Sequence, residues 1–171
     1  MRRGLYAIFD LDVLARAGRD PVAFAARVLD AGPLAAAQLR AKSCGAREAL
    51  AVARALAPLC ARALTPFFVN DRPDLATLAD APGVHVGGDD LPVDEVLRFA
   101  PTLRVGLSTH TLAEIESGLA TRATYLAFGP VFATGTKADA APVTGTVTLA
   151  DAARRCAARA RPLRSEEHTS E

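Results

Sequence analysis

The chain has no tryptophan, and only 5% of its 171 residues are aromatic. Such a composition disfavours an aromatic-rich β-sandwich, whereas the heavy excess of alanine suits closely packed helices. Surplus charge is lacking too. Twenty Lys and Arg against 19 Asp and Glu leave a formal +1, which gives no electrostatic case for nucleic acid or an anionic membrane surface. Cations that bind an anion must therefore be gathered locally. Cysteine is scarce and odd in number. Cys44, Cys60 and Cys156 have neither zinc-like spacing nor a paired framework, so the reducing cytosol is the expected setting. Long hydrophobic runs are missing as well: Leu5–Phe9 stops at Asp10, too soon for a signal-peptide core behind Met1-Arg2-Arg3.

What is present is alternation. Apolar runs at Leu5–Phe9, Ala35–Leu39, Phe67–Asn70, Val84–Val86, Leu103–Leu107 and Tyr125–Phe128 read as strands. Between and after them, Pro21–Ala31, Arg47–Ala63, Asp74–Ala79, Val93–Ala100, Leu112–Ala120 and Val147–Ala160 are rich in helix formers. Pro21, Pro73 and Pro92 stand where a first helical turn would begin. Strands that are apolar throughout and separated by helices predict βα units and a parallel sheet covered on both faces. The length predicts one domain with a sizeable core. A nucleotide-binding open sheet usually carries a Gly-rich loop after its first strand, yet Asp10-Leu11-Asp12-Val13-Leu14 follows here. Polar residues recur instead after strands two to six, which is the habit of a (β/α)₈ barrel. Six units fall short of closing one.

Each polar cluster has a plain reading beside a chemical one. In "QLRAK", Gln38, Arg40 and Lys42 lie two apart and face one side of an extended segment. They suit a diphosphate with a hydrogen-bonding ring, or form a basic strand end at the surface. Asn70 and Asp71 either cap the next helix or, with Asp89 and Asp90 after strand four, offer hard oxygen donors to Mg²⁺. His85 reads as an interior histidine, with no Ser or Cys nucleophile evident beside it. In "GLSTHT", Ser108, Thr109 and Thr111 are candidate caps or ligand contacts. The polar loop carrying Thr134, Gly135, Thr136 and Lys137 has the length of a binding loop.

Taken in order, "GLYAIFD", "QLRAK", "VNDRPDLA", "GVHVGGDDLP", "GLSTHT" and "YLAFGPVFATGTK" resemble thiamine phosphate synthase over residues 4 to about 163. The resemblance implies an α/β fold of the TIM (β/α)₈ barrel family, here with about six units. It implies a transferase that joins a hydroxymethylpyrimidine diphosphate to a thiazole phosphate and releases diphosphate, with this chain expected to be an inactive fragment of such an enzyme. Gln38, Arg40, Lys42, Asn70, Ser108 and Lys137 would hold the pyrimidine diphosphate. Thr134, Gly135 and Thr136 would contact the thiazole phosphate, and Asp71 and Asp90 would bind Mg²⁺. No acid or base catalyst is implied: early breaking of the carbon–oxygen bond leaves metal and cations to stabilise the departing charge. Two alternatives remain, a thiazole tautomerase-like paralogue and an inert fragment that at most binds pyrimidine diphosphate.

Two departures from the family pattern stand out. Gly87-Gly88-Asp89-Asp90 replaces the usual Gly-Gln-Glu-Asp, and the chain leaves the pattern after Leu163. Residues 164–171, "RSEEHTSE", match codon for codon the translation of a common sequencing-adapter read. The expected organisation is thus a partial barrel over 1–163 and a non-native tail over 164–171 that stays outside the sheet.

Overall fold

The computed structural model describes residues 3–133 and 142–166. These fall into two compact units, one drawn from Met1–His85 and Ala100–Arg104, the other from Val86–Phe99 and Val105–Glu171.

In the first unit, strands β1 (Tyr6–Asp10), β2 (Ala36–Arg40), β3 (Phe67–Asn70) and β4 (Gly83–Val86) pair in parallel and in chain order. Short α1 (Leu11–Arg16), then α2 (Pro21–Asp30), α3 (Ala46–Arg62) and α4 (Pro73–Leu78) connect them. Ala36 and Ala37 on β2 are both fully buried, as a parallel strand covered on both faces requires. Helix α3 buries Ala49, Ala53, Leu56 and Cys60, a single stripe at helical spacing. Asp10 terminates β1 and at once caps α1, its Oδ1 accepting from the backbone N–H groups of Asp12 and Val13 at 3.0 and 3.1 Å.

The second unit contains α5 (Val93–Phe99), β5 (Arg104–Thr109), α6 (Leu112–Ala120), β6 (Tyr125–Phe128), α7 (Gly145–Ala158) and β7 (Leu163–Ser165). Its strands are again parallel in chain order. Tyr125, the largest fully buried side chain, lies over its register partner Gly106. A Cβ at residue 106 would meet the phenol ring at 2.2 Å. Gly106→Ala is therefore expected to cost about 1–3 kcal/mol or more, the usual price of overpacking a core, read as a lower denaturant midpoint.

Strand β7 corrects the expectation that the chain leaves the sheet after Leu163. Leu163, Arg164 and Ser165 stand opposite Leu126, Ala127 and Phe128, and the Glu166 N–H donates to the Phe128 carbonyl at 2.9 Å. Arg164 and Glu166 form a nearly buried ion pair. The reason is that a parallel ladder is made by backbone groups. An exposed edge of β6 accepts a polar segment as readily as an apolar one.

Candidate functional site

In the first unit, the predicted residues lie on β2 and β3 and just beyond their C-terminal ends, and β1 supplies partners for them. A hydrogen-bonded line crosses these strands: the Tyr6 hydroxyl donates to Gln38 Oε1 at 3.0 Å, and Gln38 Nε2 donates to Asn70 Oδ1 at 2.6 Å. Gln38 is only 2% exposed, so both ends of its carboxamide need partners, and these two contacts fix which way the amide faces. The Tyr6 ring is itself stacked on Phe68, with centroids 6.2 Å apart.

The cations come next along the chain. Arg40 is the last residue of β2 and lies beside Asp10 in the β1–β2 register. Its Nη1 donates to Asp10 Oδ2 at 2.5 Å. Lys42 lies beyond the strand rather than on its extended face, and its ammonium pairs with Asp71. Ser43 follows, its hydroxyl donating to Asp12 Oδ2 at 3.0 Å. The strip "RAKS" is thus tied down by carboxylates from β1, α1 and the β3–α4 corner.

Neither Asn70 nor Asp71 caps α4. The N-cap is Arg72, which makes no side-chain cap bond. Its guanidinium forks onto Asp74 at 2.9 and 2.6 Å instead, and that hydrogen-bonded guanidinium holds the Asp74 carboxyl below the usual carboxylate range. Asp71 adopts φ +61°, a conformation uncommon outside glycine although Asp and Asn tolerate it. Its N–H donates to the His85 carbonyl at 2.7 Å. A strained residue whose carboxylate faces a lysine is a functional candidate rather than a helix cap. His85 is buried in β4, 4% exposed, as an interior histidine.

In the second unit, Asp90 closes a tight turn, with Gly87 N–H donating to its Oδ2 at 2.7 Å. Asp89 beside it is exposed. Ser108 is half-buried on β5. Its neighbours have structural tasks. The buried Thr109 hydroxyl donates to the Ala127 carbonyl at 2.7 Å, and Thr111 caps α6 by accepting from Glu114 N–H at 3.1 Å. His110 Nδ1 lies 2.5 Å from the Gly129 carbonyl, so that nitrogen carries the proton. Thr134, Gly135, Thr136 and Lys137 lie outside the described residues.

No thiol is set up as a nucleophile. Cys44, Cys60 and Cys156 are free, and burial pushes the Cys60 thiol up to about 11 and raises the other two. For Cys44, Glu48 and Asp12 add to the effect. Among the described residues no group of three His, Cys, Asp or Glu gathers around a common point. Mg²⁺ asks for less than such a cage, commonly one or two carboxylates with water and substrate phosphates completing the shell. Asp71 in the first unit and Asp90 in the second each carry one carboxylate.

Sequence reasoning missed Tyr6 and Asp10, the partners of Gln38 and Arg40. Their signal was present: a tyrosine and an aspartate at the two ends of the first apolar run.

Parallel strands alternating with helices, with polar side chains gathered after the strands, define an α/β protein of the TIM-barrel class with an incomplete set of units. The structure matches thiamine phosphate pyrophosphorylase from Pyrococcus furiosus with a TM-score of 0.77 and 26% identity, over 96% of this chain and 85% of the other. Residues 5–162 match the family model for thiamine monophosphate synthase, and the chain belongs to that family. It is 45% identical over 153 residues to the thiamine-phosphate synthase of Anaeromyxobacter dehalogenans, covering 88% of this chain and 64% of that protein. With the thiamine-phosphate synthase of Laribacter hongkongensis the identity is 46% over 121 residues, 70% of this chain and 57% of the relative. The chain thus spans between half and two thirds of the length of these curated relatives.

Proposed function

We propose that this chain carries the pyrimidine-diphosphate half of a thiamine phosphate synthase, a Mg²⁺-dependent transferase. The enzyme couples hydroxymethylpyrimidine diphosphate to thiazole phosphate and releases diphosphate. One observation carries the reading: the buried amide of Gln38, fixed in orientation by its bond to half-buried Asn70, precedes two cations, Arg40 and Lys42, on the same stretch of chain. Amides of fixed polarity suit a heterocycle with donors and acceptors on its rim, and the cations suit the diphosphate attached to it.

In this reading Gln38 and Asn70 orient the pyrimidine, while Arg40, Lys42, Ser108 and Lys137 hold the diphosphate. Thr134, Gly135 and Thr136 contact the thiazole phosphate. Asp71 and Asp90 would hold Mg²⁺, which would neutralise charge on the leaving diphosphate. The protein's task is electrostatic: preorganised cations and N–H donors meet negative charge as it develops on the departing oxygen. No side chain needs to move a proton in this reading.

The catalytic portion is placed in residues 1–163, with 164–171 read as foreign to it; the genomic DNA downstream of the Leu163 codon checks this. Three free cysteines, and no helix among the described residues long and apolar enough to cross a membrane, support a cytoplasmic setting. The substrates are small molecules, and the near-neutral charge offers nothing to nucleic acid.

The test offers the chain both substrates with Mg²⁺ and follows thiamine phosphate. Coupling is expected of a full-length version, with a family-like seventh and eighth unit appended after Leu163, and not of this chain alone. Isomerisation of the thiazole without coupling assigns the tautomerase-like alternative instead. Coupling by this chain alone removes the inactive-fragment reading.

A further inference from the structure

We infer that Asp10 is the positioning residue for Arg40, a role that rests on the diphosphate reading of the site. Asp10 stands at the junction of β1 and α1 and uses both carboxylate oxygens. Oδ1 accepts from the Asp12 and Val13 backbone N–H groups at 3.0 and 3.1 Å, and Oδ2 accepts from Arg40 Nη1 at 2.5 Å. Three donors on one carboxylate leave it no rotational freedom, because turning toward solvent would uncap α1. The side chains of Arg40 and Asp10 are 23% and 17% exposed, so the pair is shielded more than a surface ion pair, and such charge-assisted bonds are the strong ones.

The contact takes one of the five N–H donors of the guanidinium and fixes the plane in which the others lie. A second tie runs alongside. Asp12, in the first turn of the same helix, accepts the Ser43 hydroxyl at 3.0 Å. The β1–α1 corner therefore grips the segment Arg40–Ser43 at both ends, and the register Asp10↔Arg40 sets where that grip falls. Arg40 meets the ligand already ordered, so its rotamer entropy is not lost at binding.

The sign of one measurement separates this role from simple electrostatics. Deleting a negative charge beside an anion site ordinarily strengthens anion binding, whereas deleting a positioning carboxylate weakens it. Asp10→Asn and Asp10→Ser both keep a side-chain oxygen that can cap α1 and remove the anchor for Arg40. Inorganic diphosphate binding, measured calorimetrically with Mg²⁺ on the whole chain, should weaken about tenfold in each variant while cooperative unfolding is retained. In an Arg40→Ala background the same substitutions should cost nothing further, since a residue acting only through Arg40 has no other route. Unchanged or tighter binding in the single variants overturns the role of Asp10 alone. An equal loss with and without Arg40 overturns it in favour of a fold effect. A wild-type chain that takes up no diphosphate overturns the underlying site reading instead.

Discussion

In a full-length version, Asp71→Asn is expected to lower thiamine phosphate formation by about 100-fold or more at limiting Mg²⁺, the scale seen when one stabiliser of developing charge is removed, while the fold survives. Asparagine is the informative replacement because Asp71 sits at φ +61°, where Asn is tolerated and most residues are strained. The variant keeps the backbone and the side-chain shape and loses only the charge. If the carboxylate serves merely as a partner for Lys42, whose side chain is 49% exposed, the loss should be small, since exposed ion pairs contribute little. A metal ligand behaves differently: excess Mg²⁺ should recover part of the activity of Asp71→Asn. Asp90→Ala should show the same Mg²⁺ dependence. Exposed Asp89 has no such task, and Asp89→Ala should stay near the wild-type rate. Asp71→Asn running at that rate under limiting Mg²⁺ would remove the metal assignment.

The elements that carry this prediction differ in how far they were legible. Strands β3 and β6, Phe67–Asn70 and Tyr125–Phe128, are visible to the residue in the sequence, because each is an apolar run ending in a polar residue or a Gly-Pro turn. The expected Ala35–Leu39 lies one residue early, since a run of alanines carries no mark of which member begins the ladder. Strand β5 extends past Leu107 to Thr109. There a hydroxyl buried against the Ala127 carbonyl replaces the apolar side chain that pattern reading looks for. Helix α1, six residues between a strand and a turn, is too short to show a helical period.

Site residues were legible as chemical types and not as pairs. Nothing local to Arg40 names Asp10 as its partner. That follows from a β1–β2 register joining residues 30 apart in sequence, and a slip of one position would put the two side chains on opposite faces. The preference of Asp71 for Lys42 over capping α4 was hidden for a related reason. It depends on the positive φ of Asp71 and on a chain path in which Arg72, not Asp71, takes the N-cap position. Composition shows which donors exist; only the sheet shows which of them are already engaged.

Lys42→Ala is expected to weaken binding of the pyrimidine diphosphate by about 10- to 100-fold, corresponding to the roughly 1.5–3 kcal/mol of a hydrogen bond to a charged group. The same pyrimidine as a free alcohol should bind almost unchanged. Lys42 sits past the end of β2, on a flexible stem with its side chain half exposed, so its ammonium can turn from Asp71 to a phosphate oxygen. That exchange costs little, because the pair it gives up is solvated, and in the proposed reading Asp71 gains Mg²⁺ in return. Arg40 contributes in another way. It is held more deeply by a fixed carboxylate, and it offers a planar fork where Lys42 offers a mobile point charge. Lys42→Arg should therefore restore affinity only partly, since a longer planar group cannot reproduce a compact ammonium held between Asp71 and the ligand. Calorimetric titration of both ligands against the wild type and the two variants decides the matter. Equal losses for diphosphate and alcohol would make Lys42 a packing residue. A loss confined to the diphosphate places its charge on the leaving group, where the reaction needs it.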